Sequence, residues 1–206
     1  MLKPHITKPK DVTKIAKWQA RSLSYSQIAS FEYNKEQWYK AYVDPAEFTT
    51  SPELTFGSRV DLLYQQDPNF IPQVPRGEML QHKMRVNFAG ISIVGIPDSL
   101  SINKEKVLAD LKTGRVAWTQ QKAQTTGQLL MYLFLIYKEM GIKPEEFDCY
   151  IYWVPTMKDD NDEIQFVDEK DVKIFKVKHT LADVLRYMSH VKEVYEEMKE
   201  YIEDHA

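Results

Sequence analysis

Apolar and polar positions change period along this chain, and each period predicts an element. Over residues 27–42, Ile28, Phe31, Trp38 and Tyr42 recur at loose helical intervals. Ser24 or Ser26 stands ready as N-cap, and Asp44-Pro45 stops the run. A second short helix is expected over residues 57–66, then a loop through Pro68, Pro72 and Pro75. The period then falls to two. Residues 83–89 alternate as a half-buried strand does, Gly90-Ile91 suits a tight turn, and residues 91–96 are a β-branched run. Residues 106–111 are a third strand candidate, with Asn103 and Lys104 at the turn before it, so the three read as a meander. A long helix over residues 119–140 ends at Gly141, with Pro144 beyond. Residues 147–154 read as a buried strand, and 164–166 with 172–177 as a hairpin around the polar turn 167–171. The last helix, residues 181–202, carries Leu181, Val184, Leu185, Met188, Val191, Tyr195, Met198 and Ile202 as its apolar stripe. The order predicts an α/β (α+β) domain with a central mixed β-sheet flanked by helices. Residues 1–10, with Pro4 and Pro9, read as an extended arm. The expected division is a basic arm over 1–22 and a single domain over 23–206.

Composition narrows the class. At 206 residues, with 43% hydrophobic and 28% charged, the chain has an ordinary globular mix and needs neither metal nor disulfide to hold its core. Its single Cys149 forms no intrachain disulfide and excludes a cysteine-ligated zinc site or a four-cysteine iron–sulfur cluster within one chain. The five histidines show no ligand spacing. The most apolar run, residues 129–137, is half of what a membrane span needs, and the N-terminus has no apolar signal core. No membrane partner and a cytoplasmic location are expected. Charge is lopsided: residues 1–142 hold 18 Lys/Arg against 13 Asp/Glu, whereas 143–206 hold 9 against 17. A basic first part is compatible with nucleic acid on one face, and equally with ordinary solvated charge.

Three sets of residues carry candidate chemistry. Pro97-Asp98 ends the second expected strand, and Asp110-Leu111-Lys112 ends the third. Residues two apart on a strand share a face, so Asp110 and Lys112 point together while Leu111 points into the core. Adjacent strands lie about 4.8 Å apart, which lets Asp98 approach Asp110 if the register allows. Gln128 and Tyr132, four apart, share one face of the long helix, and Gln121 and Gln124 extend that polar stripe. Two carboxylates and an ammonium at a sheet edge suit phosphodiester hydrolysis. Carboxylate oxygens are hard ligands for Mg²⁺ or Mn²⁺, and a lysine beside the metal can orient water or stabilise charge at phosphorus. Read singly, each residue also has a plain role. Asp98 fits a turn acceptor, Asp110 and Lys112 an exposed ion pair, and Gln128 and Tyr132 a packing pair.

Leu23-Ser24-Tyr25-Ser26-Gln27-Ile28 is followed by Phe31 and Trp38-Tyr39, and then by Gly57-Ser58-Arg59-Val60-Asp61. Gly95-Ile96-Pro97-Asp98, Ala109-Asp110-Leu111-Lys112-Thr113-Gly114 and Gln128-Leu129-Leu130-Met131-Tyr132 come after them. In these motifs and their order the chain resembles the PD-(D/E)xK nuclease superfamily, nearest to its RecB-type, phage-like exonuclease branch. The resemblance covers roughly residues 23–132. It implies a restriction-endonuclease-like core, and it makes Asp98 and Asp110 ligands of Mg²⁺ (or Mn²⁺) and Lys112 the catalytic lysine. The main-chain carbonyl of Leu111 would be a further ligand, and Gln128 and Tyr132 would position DNA or the site. Asp61 stands where the branch usually places a metal-binding His; an Asp can ligate Mg²⁺, and a helix-surface role is the alternative. The cluster cysteines of the iron–sulfur variants are absent.

The resulting expectation is a metal-dependent DNA nuclease, an exonuclease in DNA recombination, repair or processing, with DNA as partner and a recombination or replication protein as a second partner class. DNA would be held by its backbone through the basic arm, Lys104, Lys106, Arg115 and Lys122, with Gln124 beside them. Two alternatives stay open. One is a catalytically inactive DNA- or partner-binding module with the last helix as docking face, and the other is a structure-selective endonuclease. Polarity, strand preference and oligomeric state have no sequence signal.

Overall fold

The computed structural model describes residues 12–45, 52–67, 69–71, 76–161, 163–166 and 171–205. The expected extended arm over residues 1–10, the prolines 68, 72 and 75, and most of the turn 167–171 lie outside them. The helices are α1 (Val12–Gln19), α2 (Tyr25–Tyr33), α3 (Lys35–Tyr42), α4 (Pro52–Gln66), α5 (Gln120–Thr125), α6 (Gly127–Met140) and α7 (Leu181–His205). The strands are β1 (Met79–Leu80), β2 (Met84–Phe88), β3 (Ile91–Gly95), β4 (Ser99–Ser101), β5 (Val107–Gly114), β6 (Asp148–Lys158), β7 (Ile164–Phe166) and β8 (Lys173–Val177).

The chain divides into two compact units. The first contains α1 to α3, the tip of the β2–β3 hairpin and residues 189–205 of α7. Its helix expected over 27–42 is two helices, because Asn34 is extended (φ −159°, ψ 103°) and its Oδ1 accepts the Gln37 N–H, capping α3. Aromatic rings pack among the aliphatic side chains of its core. Trp18 stacks on Tyr195 at 5.0 Å and meets Trp38 edge-on, and Phe31 meets Trp38 in the same way.

The second unit is built on a six-stranded sheet in the order β1-β4-β5-β6-β7, with β8 also paired to β6. Only β5 and β6 run parallel, so the sheet is mixed. The expected meander is not what forms. β2 and β3 form a separate two-stranded sheet, with Leu23 bridged to Ile93 at its edge, and a short extra strand, β4, takes the place beside β5. β7 and β8 both pair antiparallel with β6 instead of forming their own hairpin. Alternation along β5 sorts its side chains by face. Ala109 and Leu111 join Tyr152 and Val154 of β6 and Phe56, Val60 and Tyr64 of α4 in one apolar cluster. Leu108, Asp110 and Lys112 point the opposite way. There α6, buried from Leu129 through Ile136 on nearly all sides, presents Gln128 and Tyr132 to Asp110. The long helix expected over 119–140 breaks at Thr126 (φ −66°, ψ 123°), and a Cβ on the next residue, Gly127, would collide with the ring of Tyr187.

Candidate active site

Asp98 lies between Pro97 and the first residue of β4 and is 8% exposed. Its Oδ2 accepts the backbone N–H of Leu111 at 2.7 Å, and its Oδ1 accepts Nε2 of Gln81 at 2.6 Å. The carboxylate therefore lies across β5 at the residue between Asp110 and Lys112. Asp110 is 2% exposed; its Oδ1 accepts Nε2 of Gln128 at 2.9 Å, and its Oδ2 is 2.6 Å from Nζ of Lys112. The triplet sits in the middle of β5, not at its end, since the strand runs on to Gly114.

One helical turn of α6 holds the other side. The Gln128 amide also donates to the Tyr132 hydroxyl at 2.8 Å, and that hydroxyl donates to the carbonyl of Ile96 at 3.0 Å. Tyr132 thus ties the segment before Asp98 to the glutamine that grips Asp110. This approach needs Gly95, where a Cβ would lie 2.5 Å from Leu135 Cδ1 and 2.8 Å from Tyr132 Cδ1.

Asp61, on α4, is half-buried and within electrostatic reach of Asp98, Asp110 and Lys112. Burial, then the charge of Asp110, raises the Asp61 carboxyl to about 6, with Lys112 opposing. The same causes are stronger at Asp98. Burial first, then Asp110 and Asp61, push it up to about 8 against the Leu111 N–H and Lys112. Burial and the neighbouring Asp110 also push the Tyr132 phenol far up, so it stays a neutral donor. Three carboxylates against one ammonium leave a site short of positive charge. Among the described residues no three His, Cys, Asp or Glu side chains cluster as a metal cage. Two carboxylates plus a main-chain carbonyl at Leu111 instead fit Mg²⁺, which takes one or two carboxylates and keeps water and substrate phosphate as its other ligands.

The other expected residues lie apart from this cluster. Gln124 is exposed and its amide donates to the Lys178 carbonyl at 2.9 Å, tying α5 to the end of β8. Lys122 lies over the Trp118 ring at 4.4 Å. Arg115 is exposed just beyond β5 and, with Glu53, Phe56, Thr113, Gly114, Thr156 and Ile164, borders an open depression of about 100 Å³. Gln81 was legible in no motif: a lone glutamine after a two-residue strand carries no sequence signal.

A family model described as the PD-(D/E)XK nuclease superfamily matches residues 72–203. No curated protein matches the sequence. Among solved structures, a candidate exonuclease from Eubacterium rectale superposes with a TM-score of 0.60 at 14% identity, covering 95% of this chain and 87% of that one. At that identity the likeness bears on the fold alone, and the fold it shares is a mixed sheet flanked by helices, the restriction-endonuclease-like α+β architecture. A second structure, SSO0001, has a TM-score of 0.45 at 14% identity over 89% of this chain and 83% of that one, too low to carry an argument.

Proposed function

The chain belongs to the PD-(D/E)XK nuclease superfamily, and from that premise we propose that it is a divalent-metal-dependent DNA nuclease acting from DNA ends. The observation that carries the proposal is the buried pair Asp98 and Asp110, joined through β5, with Lys112 on Asp110 and Asp61 in electrostatic range. Asp98, Asp110 and the Leu111 carbonyl would hold Mg²⁺ or Mn²⁺, with Asp61 as the additional carboxylate. When bound, such an ion acidifies a water and neutralises charge developing on phosphate. Lys112, one-quarter exposed and 2.6 Å from Asp110, would orient the attacking water and stabilise the charged phosphorus centre. Gln128 and Tyr132 keep Asp110 in place from α6. DNA is held through its phosphates by exposed cations such as Arg115, Lys104 and Lys122, so binding weakens with salt. Support for end dependence comes from the motif resemblance to the exonuclease branch.

The test is cleavage of end-labelled linear duplex, linear single strand and closed circular DNA with Mg²⁺, Mn²⁺ or EDTA, beside an Asp110→Ala control. Loss of linear DNA only, abolished by EDTA and by the substitution, is the expected result. Nicking of circles would replace end dependence with endonuclease action. No cleavage with any metal, with DNA binding intact, would overturn the enzyme reading.

A further inference from the structure

Asp98 is gripped from outside the motifs that contain the other site residues. Gln81 follows directly on β1, and its side-chain amide donates to Asp98 Oδ1 at 2.6 Å while its backbone N–H donates to the Asp98 carbonyl at 3.3 Å. β1 pairs Met79 with Leu100 and Leu80 with Ser99, so Gln81 carries the register one residue further, opposite Asp98. That edge comes in very close. A Cβ on Gly77 would sit 2.5 Å from the backbone of Leu100, and the Gly77 N–H donates to Ser99 Oγ at 2.5 Å. Gln81 itself has φ +51°, a left-handed conformation that is strained for a non-glycine residue. A position needed only for the turn would favour Gly or Asn. What the glutamine adds is the amide on Asp98.

We infer that Gln81 is a positioning residue of the site: together with the Leu111 N–H it locks the Asp98 carboxylate in the orientation in which it, with Asp110, receives a divalent cation. Each carboxylate oxygen then has one donor and keeps acceptor capacity for a cation. Without the amide, the Oδ1 side of Asp98 is free to turn about its last torsion. The inference rests on the proposed reading of Asp98 as a metal ligand. Loss of an outer partner of a ligand typically weakens metal binding about 10- to 100-fold.

The experiment is Mn²⁺ titration by electron paramagnetic resonance on wild type, Gln81→Gly, Gln81→Met, Asp98→Asn and Asp110→Asn, with metal-free thermal unfolding of each. Gly takes φ +51° without strain, so Gln81→Gly keeps the turn; Gln81→Met keeps the side-chain volume and removes only the donor. Expected are Mn²⁺ binding in wild type, its loss in both Asp variants, and about 10- to 100-fold weaker binding in the Gln81 variants. Cleavage by those variants should recover at raised Mn²⁺, with the metal KM up and kcat near wild type. Wild-type affinity in either folded Gln81 variant, with binding lost in Asp98→Asn, would overturn the role of Gln81 and leave the nuclease reading standing. Absence of Mn²⁺ binding in the wild type would overturn both.

Discussion

A cation entering the proposed Asp98–Asp110 site has to displace a proton, because burial and then Asp110 and Asp61 hold the Asp98 carboxyl well above the usual carboxylate range. With Asp98 pushed up to about 8, about nine-tenths of the metal-free molecules carry its proton at pH 7, and about one-tenth at pH 9. Metal binds the ionised form, so Mn²⁺ affinity should tighten about 50-fold between pH 6 and pH 8 from Asp98 alone. Asp61, raised to about 6, adds about twofold if it also ligates. The assay is calorimetric Mn²⁺ titration at pH 6, 7, 8 and 9 in two buffers of different ionisation enthalpy at constant ionic strength. About one proton should leave per Mn²⁺ at pH 7, falling to about a tenth at pH 9. Asp61→Asn removes one of the charges that raises Asp98, so it should shift the steep part of the curve to lower pH. An affinity that stays level from pH 6 to pH 8, or binding at pH 7 without proton release, would refute the reasoning.

The same shifts govern the metal-free fold. Folded-state values above the unfolded value near 3.8 mean that the native state holds more protons between about pH 4 and 8, so stability should fall as pH rises through that window. Thermal unfolding of EDTA-treated protein at pH 5 and pH 8 checks the sign, and a melting temperature rising toward pH 8 would contradict it. Asp98→Asn removes the repelling charge and should raise the metal-free melting temperature at pH 8 while abolishing cleavage. The asparagine oxygen takes the place of Asp98 Oδ2 and accepts from the Leu111 N–H, and its amide donates to the Gln81 side-chain oxygen once that side chain flips. Lys112→Ala should cut cleavage about 10²- to 10⁴-fold with Mn²⁺ binding retained, measured by single-turnover kinetics. Gly95→Ala should cost about 1–3 kcal/mol in denaturant unfolding, because its methyl meets Leu135 and Tyr132.

What could be read in advance, and what could not, follows from the kind of physics involved. Asp98, Asp110, Lys112, Gln128 and Tyr132 announced themselves because their chemistry is intrinsic and their spacing sets a face, on a strand or on a helix turn. The strand that carries Asp110 and Lys112 was legible as a strand, yet its neighbour was not, and Asp98, expected to end the strand over residues 91–96, lies in the link between β3 and β4. Alternation reports which face a residue takes, while pairing depends on what the rest of the chain leaves beside it. Hence β3, read as the partner of β5, pairs with β2 in a separate sheet, and the partner of β5 is three residues of β4 too short to show a period. The helix breaks at Asn34 and Thr126 were hidden for a similar reason, since polar residues inside a helical pattern do not by themselves end it. Asp61 read as a helix-surface carboxylate as readily as a ligand, because its raised pKa comes from burial and from Asp110, and neither exists before the chain folds. Gln81, Gly77 and Gly95 belong to the same class. A carboxylate brings its charge and its hard oxygen donors to whatever fold buries it. An amide, or the absence of a Cβ, acquires a role only from a distance to a neighbour, here 2.6 Å to Asp98 for Gln81 and 2.5 Å to Leu135 for a Cβ on Gly95. The charged groups of this candidate site are therefore written in its residue types, and their orientation is written only in its packing.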